Sequence, residues 1–318
     1  MTRSQLAQVL RGDAPNVLPA RGALLGVAFA LLAAVGFSAK AVLAKLTYIE
    51  GMDAMSLLAL RMSFSAPFFV GVALWAKARQ FAPLSTRDWI IVVALGLLGY
   101  YLSSYLDFLG LEYISAGLER LILFLYPTMT VILSALVYRR AIGRRVIAAM
   151  ILCYAGIALV FVHNAEVKQD GIVLGASLVF AGTLCFSLYL IGAGHAIARI
   201  GAMRFTAYAM LVASAASLLQ FALMRPLAAL DLPLRAYGLT FAMAILATVL
   251  PVFLMSYAIR RIGPSSTSLI GSIGPISTLY LAYVFLDEGV SLLQGVGSAL
   301  ILAGVLSISL SKKGWTAL

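Results

Sequence analysis

The amino-acid sequence predicts an all-α membrane protein with ten transmembrane helices, built as two five-helix repeats of inverted topology. Three observations carry the prediction: apolar runs about as long as a bilayer is thick, basic residues confined to alternate connections, and a match between the two halves of the chain. Hydrophobic residues make up 63% of the 318 residues and charged residues only 11%, with a mean hydropathy of +1.02. A soluble protein of this composition would lack the polar surface that must face water.

Apolar runs of about 20 residues recur along the whole chain, and a helix of that length crosses a hydrocarbon core of roughly 30 Å. They predict spans at roughly 22–46, 54–76, 89–110, 118–138, 145–163, 171–194, 202–224, 236–259, 265–286 and 291–310. Because the connections are short, successive spans are expected to be antiparallel. The segments 1–21 and 311–318 are expected to be short polar tails, and 1–21 has no apolar stretch long enough for a cleavable signal.

Basic residues mark every second connection. The two tails and the second, fourth, sixth and eighth loops hold 16 of the 23 Lys and Arg residues. The carboxylates assigned to the opposite side are Glu50, Asp53, Glu112, Glu119, Glu166, Asp170, Asp231, Asp287 and Glu288. The positive-inside rule then predicts a multi-pass protein of the cytoplasmic (inner) membrane with both termini in the cytoplasm. This rule also accounts for the net charge of +11, so no nucleic-acid partner is expected.

The two halves of the chain match each other at a shift of 148 residues, and near the start a shift of 149 puts Phe37-Ser38 on Phe186-Ser187 and Gly26 on Gly175. Pro127 falls on Pro275, and Ala155-Gly156 falls on Ala303-Gly304. The match predicts a first repeat at 22–163 and a second at 171–310. Because each repeat has five spans, the second must enter the membrane from the opposite side. Inverted repeats of this kind are typical of secondary transporters, in which a site between the repeats opens alternately to each side.

The stretch from Gly274 to Gly304, GPISTLYLAYVFLDEGVSLLQGVGSALILAG, resembles the second-half signature of the EamA-type drug/metabolite transporters. Glu288 stands where that family usually carries Glu. The first half matches more loosely, through LALRMSFSAPF and YPTMTVILSALVY, and departs at Arg140, where members often have Glu.

The resemblance implies ten helices, a cavity between spans 1–4 and spans 6–9, and peripheral fifth and tenth spans. Many bacterial members are similar to exporters of amino acids. The tyrosine content and the third span look like the aromatic amino acid exporters of the superfamily.

Three charged side chains fall at a similar depth in the outer half of the predicted bundle: Lys40, Arg61 and Asp107. Charges within spans are costly and usually face a wet cavity or the bundle interior. In one interpretation a cation binds the carboxylate of the substrate. Asp107 then either modulates the charge of that cation or binds the amine of the substrate. In the other, Arg61 and Asp107 form a structural pair and Lys40 reaches outward to the interface. Asp107 is taken as the one carboxylate within a span.

The third span, LGLLGYYLSSYLDFLG, is rich in tyrosine. Tyr101 and Tyr105 share a helix face with Ser104 beside them, and Tyr101 lies too deep for an interfacial aromatic belt. Tyr189 occupies the repeat position of the first-span lysine, and Tyr280 falls in mid-span in the ninth helix. These residues are candidate substrate contacts, and an aromatic wall would suit apolar or aromatic side chains.

Pro127 and Pro275 are expected to remove a backbone hydrogen bond and to kink the fourth and ninth helices, either as hinges or as static bends. The two cysteines and the residues His163 and His195 fit no metal-ligand spacing, so no metal and no cofactor is expected. Rows of small residues are interpreted as internal packing, and the chain is taken as a monomer.

These observations predict a secondary transporter that exports amino acids and related small metabolites, with a small solute and the lipid bilayer as its partners. No P-loop pattern points to ATP drive. The alternative of nucleotide-sugar or phosphorylated substrates would need several converging cations, of which only two are evident. A membrane-embedded enzyme is less favoured, because it would need paired carboxylates, clustered His or a nucleophile with its base.

Overall fold

A computed structural model describes residues 20–78, 83–139, 141–166, 170–289 and 291–310, and within these ranges the fold is all-helical, with no strand. The helices are α1 (Ala20–Ile49), α2 (Ala54–Ala78), α3 (Thr86–Gly96), α4 (Ser103–Leu111), α5 (Ala116–Leu123), α6 (Tyr126–Val137), α7 (Arg144–Glu166), α8 (Ile172–Ile200), α9 (Ala202–Met224), α10 (Leu234–Ala244), α11 (Leu250–Gly271), α12 (Gly274–Leu286) and α13 (Leu292–Leu310). Short π-helical segments join α3 to α4 (Leu97–Leu102) and α10 to α11 (Ile245–Val249). Residues 1–19 of the predicted N-terminal tail, the C-terminal tail and Arg140 lie outside the described residues, and the last two residues of the N-terminal tail already belong to α1.

Eight helical stretches of the described chain are long and apolar enough to cross a membrane. The ninth and tenth predicted spans correspond to shorter apolar helices, Gly274–Leu286 and Leu292–Ser307. The ninth helix is short because the helix breaks at Ser272 and Ile273. The residues of the predicted span before this break belong to the end of α11. Ten full-length crossings therefore remain a prediction, whereas the all-helical class is confirmed.

Five pairs of element starts repeat with an offset of 148 residues. The matching starts are Ala54 and Ala202, Thr86 and Leu234, Leu97 and Ile245, Tyr126 and Gly274, and Arg144 and Leu292. Even local irregularities repeat, because both π-helical segments obey this offset. Arg139 (φ 51°) and Asp287 (φ 54°), the two non-glycine residues with positive φ in the described chain, obey it as well. The backbone is thus duplicated in the register that the sequence match indicates.

The main helix pairs join one repeat to the other. Helix α1 packs on α11 and α12, and the corresponding α8 packs on α4 and α6. Helix α2 packs on α9, and α7 packs on α13. Exchanging the repeats leaves this set of pairs unchanged, as expected for a pseudo-two-fold arrangement. Since α7 and α13 pack chiefly against each other, they lie at the side of the bundle, as the family resemblance implies.

Both repeat-related prolines lie in the first turn of a helix. Pro127 is the second residue of α6, which begins after a turn at Phe124 and Leu125, and Pro275 is the second residue of α12. Proline has no N–H and its ring clashes with the preceding turn, so the first helical turn is where it is tolerated. A kink inside a continuous helix was expected at each proline. The structure instead has a two-residue break between two shorter helices. A hinge at these breaks remains a prediction.

Candidate functional site

A buried cluster of charges joins α1, α4 and α5. Lys40 Nζ lies 2.5 Å from Asp107 Oδ2 and 3.3 Å from Glu119 Oε1. The side chains of Lys40, Asp107 and Glu119 are 17%, 3% and 0% exposed. Removing such charges from water costs several kcal/mol per ion, so an intramembrane cluster indicates a function unless structure alone requires it.

The turn between α4 and α5 brings the two carboxylates together. Asp107 lies about one turn before the end of α4, and Glu119 lies in the first turn of α5. Ser115 caps α5 with its side chain, and Glu288 from the second repeat accepts a hydrogen bond from the N–H of Ala116 (3.0 Å). The beginning of α5 is therefore fixed by both repeats, which holds Glu119 against α1.

Two sequence-based assignments are corrected here. Glu119 was assigned to the outer rim, and Asp107 was taken as the one carboxylate within a span. Glu119 is instead fully buried within the candidate span Ala116–Val137. The error arose because Glu119 lies at the very start of the predicted span. Ser115, a favourable N-cap just before an apolar run, was the signal that could have placed Glu119 inside the helix.

Arg61 is buried beside this cluster but does not pair with Asp107. Its Nη2 donates a long hydrogen bond to Ser104 Oγ (3.4 Å), and its guanidinium carbon lies 5.0 Å from the centroid of the Phe108 ring. Its Nε has no hydrogen-bond partner among the described residues. The proposed structural pair of Arg61 with Asp107, with Lys40 turned outward, is therefore wrong. Asp107 pairs with Lys40 instead, and the Nε–H group of Arg61 remains able to donate a hydrogen bond.

Arg120 is a third cation that the sequence analysis missed. A Cβ atom added to Gly274 would lie 2.6 Å from Arg120 Nη2, so the guanidinium packs against the start of α12 in the other repeat. Its Nε also has no hydrogen-bond partner in the described chain. With Lys40 and Arg61, three cations and two carboxylates share this region, which leaves one net positive charge when all five are ionised.

Tyr101, in the π-helical segment before α4, stacks on Tyr105 of α4. Their ring centroids are 6.4 Å apart and their planes differ by 8°, as expected for neighbours one helical turn apart. Both half-buried rings pack against the hydrophobic cluster that contains Phe108. The structure therefore brings Lys40, Arg61, Ser104 and Asp107 together around Phe108, and Tyr101 and Tyr105 pack against the hydrophobic cluster that contains Phe108.

The structure does not bring Tyr189 and Tyr280 to this neighbourhood. Tyr189 is buried in a separate aromatic cluster, where its hydroxyl donates to the Tyr100 hydroxyl at 2.9 Å and its ring stacks on Phe186 at 5.6 Å. Tyr280 is 67% exposed on the outer side of α12. The two repeats have thus diverged at equivalent positions: a lysine in a charged cluster in the first, and a tyrosine in an aromatic cluster in the second.

Two cavities in the described part of the chain lie away from the charged cluster. One of about 390 Å³ is lined by mostly apolar residues of α5, α7 and α8, and one of about 40 Å³ lies between α2, α9 and α11. Among the described residues, no three His, Cys, Asp or Glu side chains converge as metal ligands.

Two exposed or partly exposed ion pairs join the repeats. Glu50, just after α1, binds Arg235 at the start of α10 (2.9 Å). Arg199 at the end of α8 binds Asp88 at the start of α3 (2.6 Å). In both pairs the carboxylate belongs to the first repeat and the arginine to the second.

Residues 24–162 and 173–310 each match the EamA-like transporter family. The chain belongs to this family. Its two matches cover the two halves, so both repeats are those of the EamA-like fold, and the resemblance seen in the sequence is confirmed. Family membership makes the chain a multi-pass membrane transporter.

Relatives and a solved structure agree with this assignment. "Uncharacterized transporter YcbK" of Bacillus subtilis (strain 168) is 30% identical over 87% of this chain and 90% of its own. "WAT1-related protein At4g01440" of Arabidopsis thaliana is 22% identical over 82% of this chain and 80% of its own. A crystal structure with 18% identity superposes with a TM-score of 0.62 over 89% of this chain and 95% of its own, which shows a shared fold.

Proposed function

We propose that this EamA-like transporter is a secondary exporter of amino acids with aromatic or large apolar side chains, and of related small metabolites. The observation that carries this proposal is the buried cluster of mixed charge around Lys40 and Asp107, with the ring of Tyr105 on the same helix as Asp107 and the stacked ring of Tyr101 in the segment just before it. Charged side chains within spans are costly and usually mark substrate or ion pathways.

The charges of the cluster match a zwitterion. Arg61 and Arg120 each keep an Nε without a hydrogen-bond partner, and a guanidinium binds a carboxylate through two parallel hydrogen bonds. The carboxylates of Asp107 and Glu119 can accept from an ammonium group. A phosphorylated or nucleotide-linked solute would place two or more negative charges beside the buried carboxyl groups of Asp107 and Glu119 and would bring them no ammonium group.

The proposed mechanism is alternating access between inverted repeats. The ion pairs Glu50–Arg235 and Arg199–Asp88 join the two repeats, and in this proposal one of them breaks while the other holds as the site opens to one side. In this proposal both termini are cytoplasmic, the protein resides in the inner membrane, and the charged cluster lies nearer the outer surface. The breaks before Pro127 and Pro275 are the proposed points of bending.

Counterflow of radiolabelled L-phenylalanine in proteoliposomes tests this proposal. We expect saturable flux in the wild type and a loss of at least tenfold in Lys40→Ala and Tyr101→Ala. Tyr283→Ala is the matched control, because this ring is 60% exposed on α12 and should not affect flux. If the wild type carries sugar phosphates or nucleotide sugars but no amino acid, the proposed substrate class is wrong.

A further inference from the structure

The Glu119 carboxyl group is buried without a hydrogen-bond donor. Its side chain is fully buried, and neither Oε1 nor Oε2 has a hydrogen-bond partner in the described chain. Lys40 lies 3.3 Å from Oε1, but its short hydrogen bond goes to Asp107. An ionised carboxylate in such a place loses its hydration and gains little in return, so its neutral form is favoured.

Asp107 also has a carboxyl oxygen without a hydrogen-bond partner among the described residues. Its Oδ2 is bound by Lys40, whereas its buried Oδ1 has no hydrogen-bond partner. The same Lys40 ammonium group lies beside both carboxyl groups, at 2.5 Å from Asp107 Oδ2 and 3.3 Å from Glu119 Oε1, so the two groups are close neighbours. Two ionised carboxylates can only accept, so neither can satisfy the other. One proton on Glu119 supplies the missing donor and removes the repulsion between two buried like charges.

The other polar groups near Glu119 have different partners. The Tyr48 hydroxyl on α1 donates to the carbonyl of Phe108 (2.8 Å). Arg61 on α2 faces Ser104, and Arg120 packs against the start of α12. Lys40, Asp107 and Arg120 are thus the charges that act directly on Glu119.

We propose that Glu119 holds an exchangeable proton, shared with Asp107, and that the amine of the substrate displaces it, so that export is coupled to proton entry. This inference rests on the proposed amino acid export. A substrate ammonium group brings three N–H donors to carboxylate oxygens that have none, and it binds the ionised form of Glu119. The ammonium and the proton therefore compete for one site.

The balance of one cycle follows from this competition. When the site faces the cytoplasm, the substrate ammonium binds and Glu119 releases one proton to cytoplasmic water. When the site faces outward, a proton from the outer medium binds Glu119 and the substrate leaves. One proton enters for each zwitterion exported, so one positive charge moves inward per cycle.

Proteoliposomes with a clamped membrane potential test the coupling. At one proton per substrate, a tenfold proton gradient sustains an about tenfold opposite gradient of labelled L-phenylalanine. We expect this accumulation in the wild type and in Asp170→Asn, whose carboxylate is exposed in a loop, and its loss in Glu119→Gln. Wild-type counterflow that does not respond to the proton gradient would overturn the coupling while leaving the proposed export intact. Absence of wild-type counterflow would overturn the proposed export itself.

A second measurement needs no substrate flux. In detergent-purified protein labelled with ¹³C at the glutamate carboxyl carbon, NMR at neutral pH should show one protonated resonance, which disappears in Glu119→Gln. The remaining glutamates serve as internal controls. An ionised Glu119 at neutral pH would overturn the proposal regardless of any transport result. Addition of L-phenylalanine should release protons from the wild type, whereas 3-phenylpropionate, which lacks the amine, should not.

Discussion

Ser38 and Ser187 occupy equivalent positions in the two repeats, and each binds the first carbonyl of the proline-bearing half-helix of the other repeat. Ser38 Oγ donates to the Gly274 carbonyl at 2.9 Å, and Ser187 Oγ donates to the Tyr126 carbonyl at 3.2 Å. Each hydroxyl also lies within reach of a carbonyl one turn back in its own helix. The two helix breaks are thus each supported by a serine from the opposite half of the molecule.

Removing either hydroxyl should loosen the break that it supports. A buried hydrogen bond contributes about 1 kcal/mol, so we expect Ser38→Ala and Ser187→Ala each to lower the free energy of unfolding by about that amount. The measurement is unfolding in mixed micelles followed by tryptophan fluorescence. Because the two sites share no partner, the effects should add in the double variant.

Ser214→Ala is the control for these two variants. Ser214 is equally buried, but it donates within its own helix, to the Met210 carbonyl at 2.8 Å. A loss of stability in Ser214→Ala as large as in Ser38→Ala would show that the bond between repeats has no special role.

Replacing Lys40 should destabilise the protein strongly. Lys40→Met leaves Asp107 and Glu119 buried without their cation, and breaking a buried ion pair from one side costs roughly 3–5 kcal/mol. The additional change Asp107→Asn removes one of the two carboxylates and should recover a large part of the loss. Arg225→Ala, which breaks the partly exposed pair with Asp53, should cost less than about 1 kcal/mol in the same unfolding assay. Equal costs for Lys40→Met and Arg225→Ala would contradict a buried cluster.

Replacing Arg61 should weaken the binding of substrates that carry a carboxylate and leave the binding of substrates without one unchanged. Arg61→Met keeps much of the side-chain volume but removes a charge-assisted hydrogen bond worth about 1.5–3 kcal/mol, which corresponds to an increase in KM of roughly tenfold to a hundredfold. We expect this increase for L-phenylalanine but not for phenethylamine, which has no carboxylate. Flux at graded concentrations of both compounds measures it, and a similar change for both would assign Arg61 a structural role.

Close packing of α7 on α13 depends on the absence of a side chain at Gly156. A Cβ atom there would lie 2.7 Å from the carbonyl oxygen of Gly297. We expect Gly156→Ala to destabilise the protein by about 1–3 kcal/mol, because the two backbones must separate. Gly295→Ala, where an added Cβ meets nothing within 4 Å, should be neutral or slightly stabilising in the same unfolding assay.

The general architecture could be predicted because it depends on composition and register. Apolar length indicates the spans, and the self-match at 148 residues anticipates the repeated element starts. The two final spans could not be judged from hydropathy, because it does not show where a helix breaks. At Pro275 the residue type indicated a disturbed helix, but the backbone begins a new helix there instead of bending.

The candidate site could be predicted only in part. A charge within an apolar run is visible in the sequence, so Lys40, Arg61 and Asp107 were found. Glu119 lies at the edge of its run, where helix and loop cannot be told apart by hydropathy. The exposure of Tyr280 was hidden because α12 is apolar on all sides, so the sequence does not show which side faces the bundle.

The position of the charged cluster also bears on how the chain is synthesised. Lys40, Asp107 and Glu119 all belong to the first repeat, whereas the main packing partners of its helices come from the second. The first five spans enter the lipid before those partners exist. These three side chains can already pair with one another at that stage. The partly synthesised protein therefore need not expose unpaired charges to lipid before the second repeat is translated.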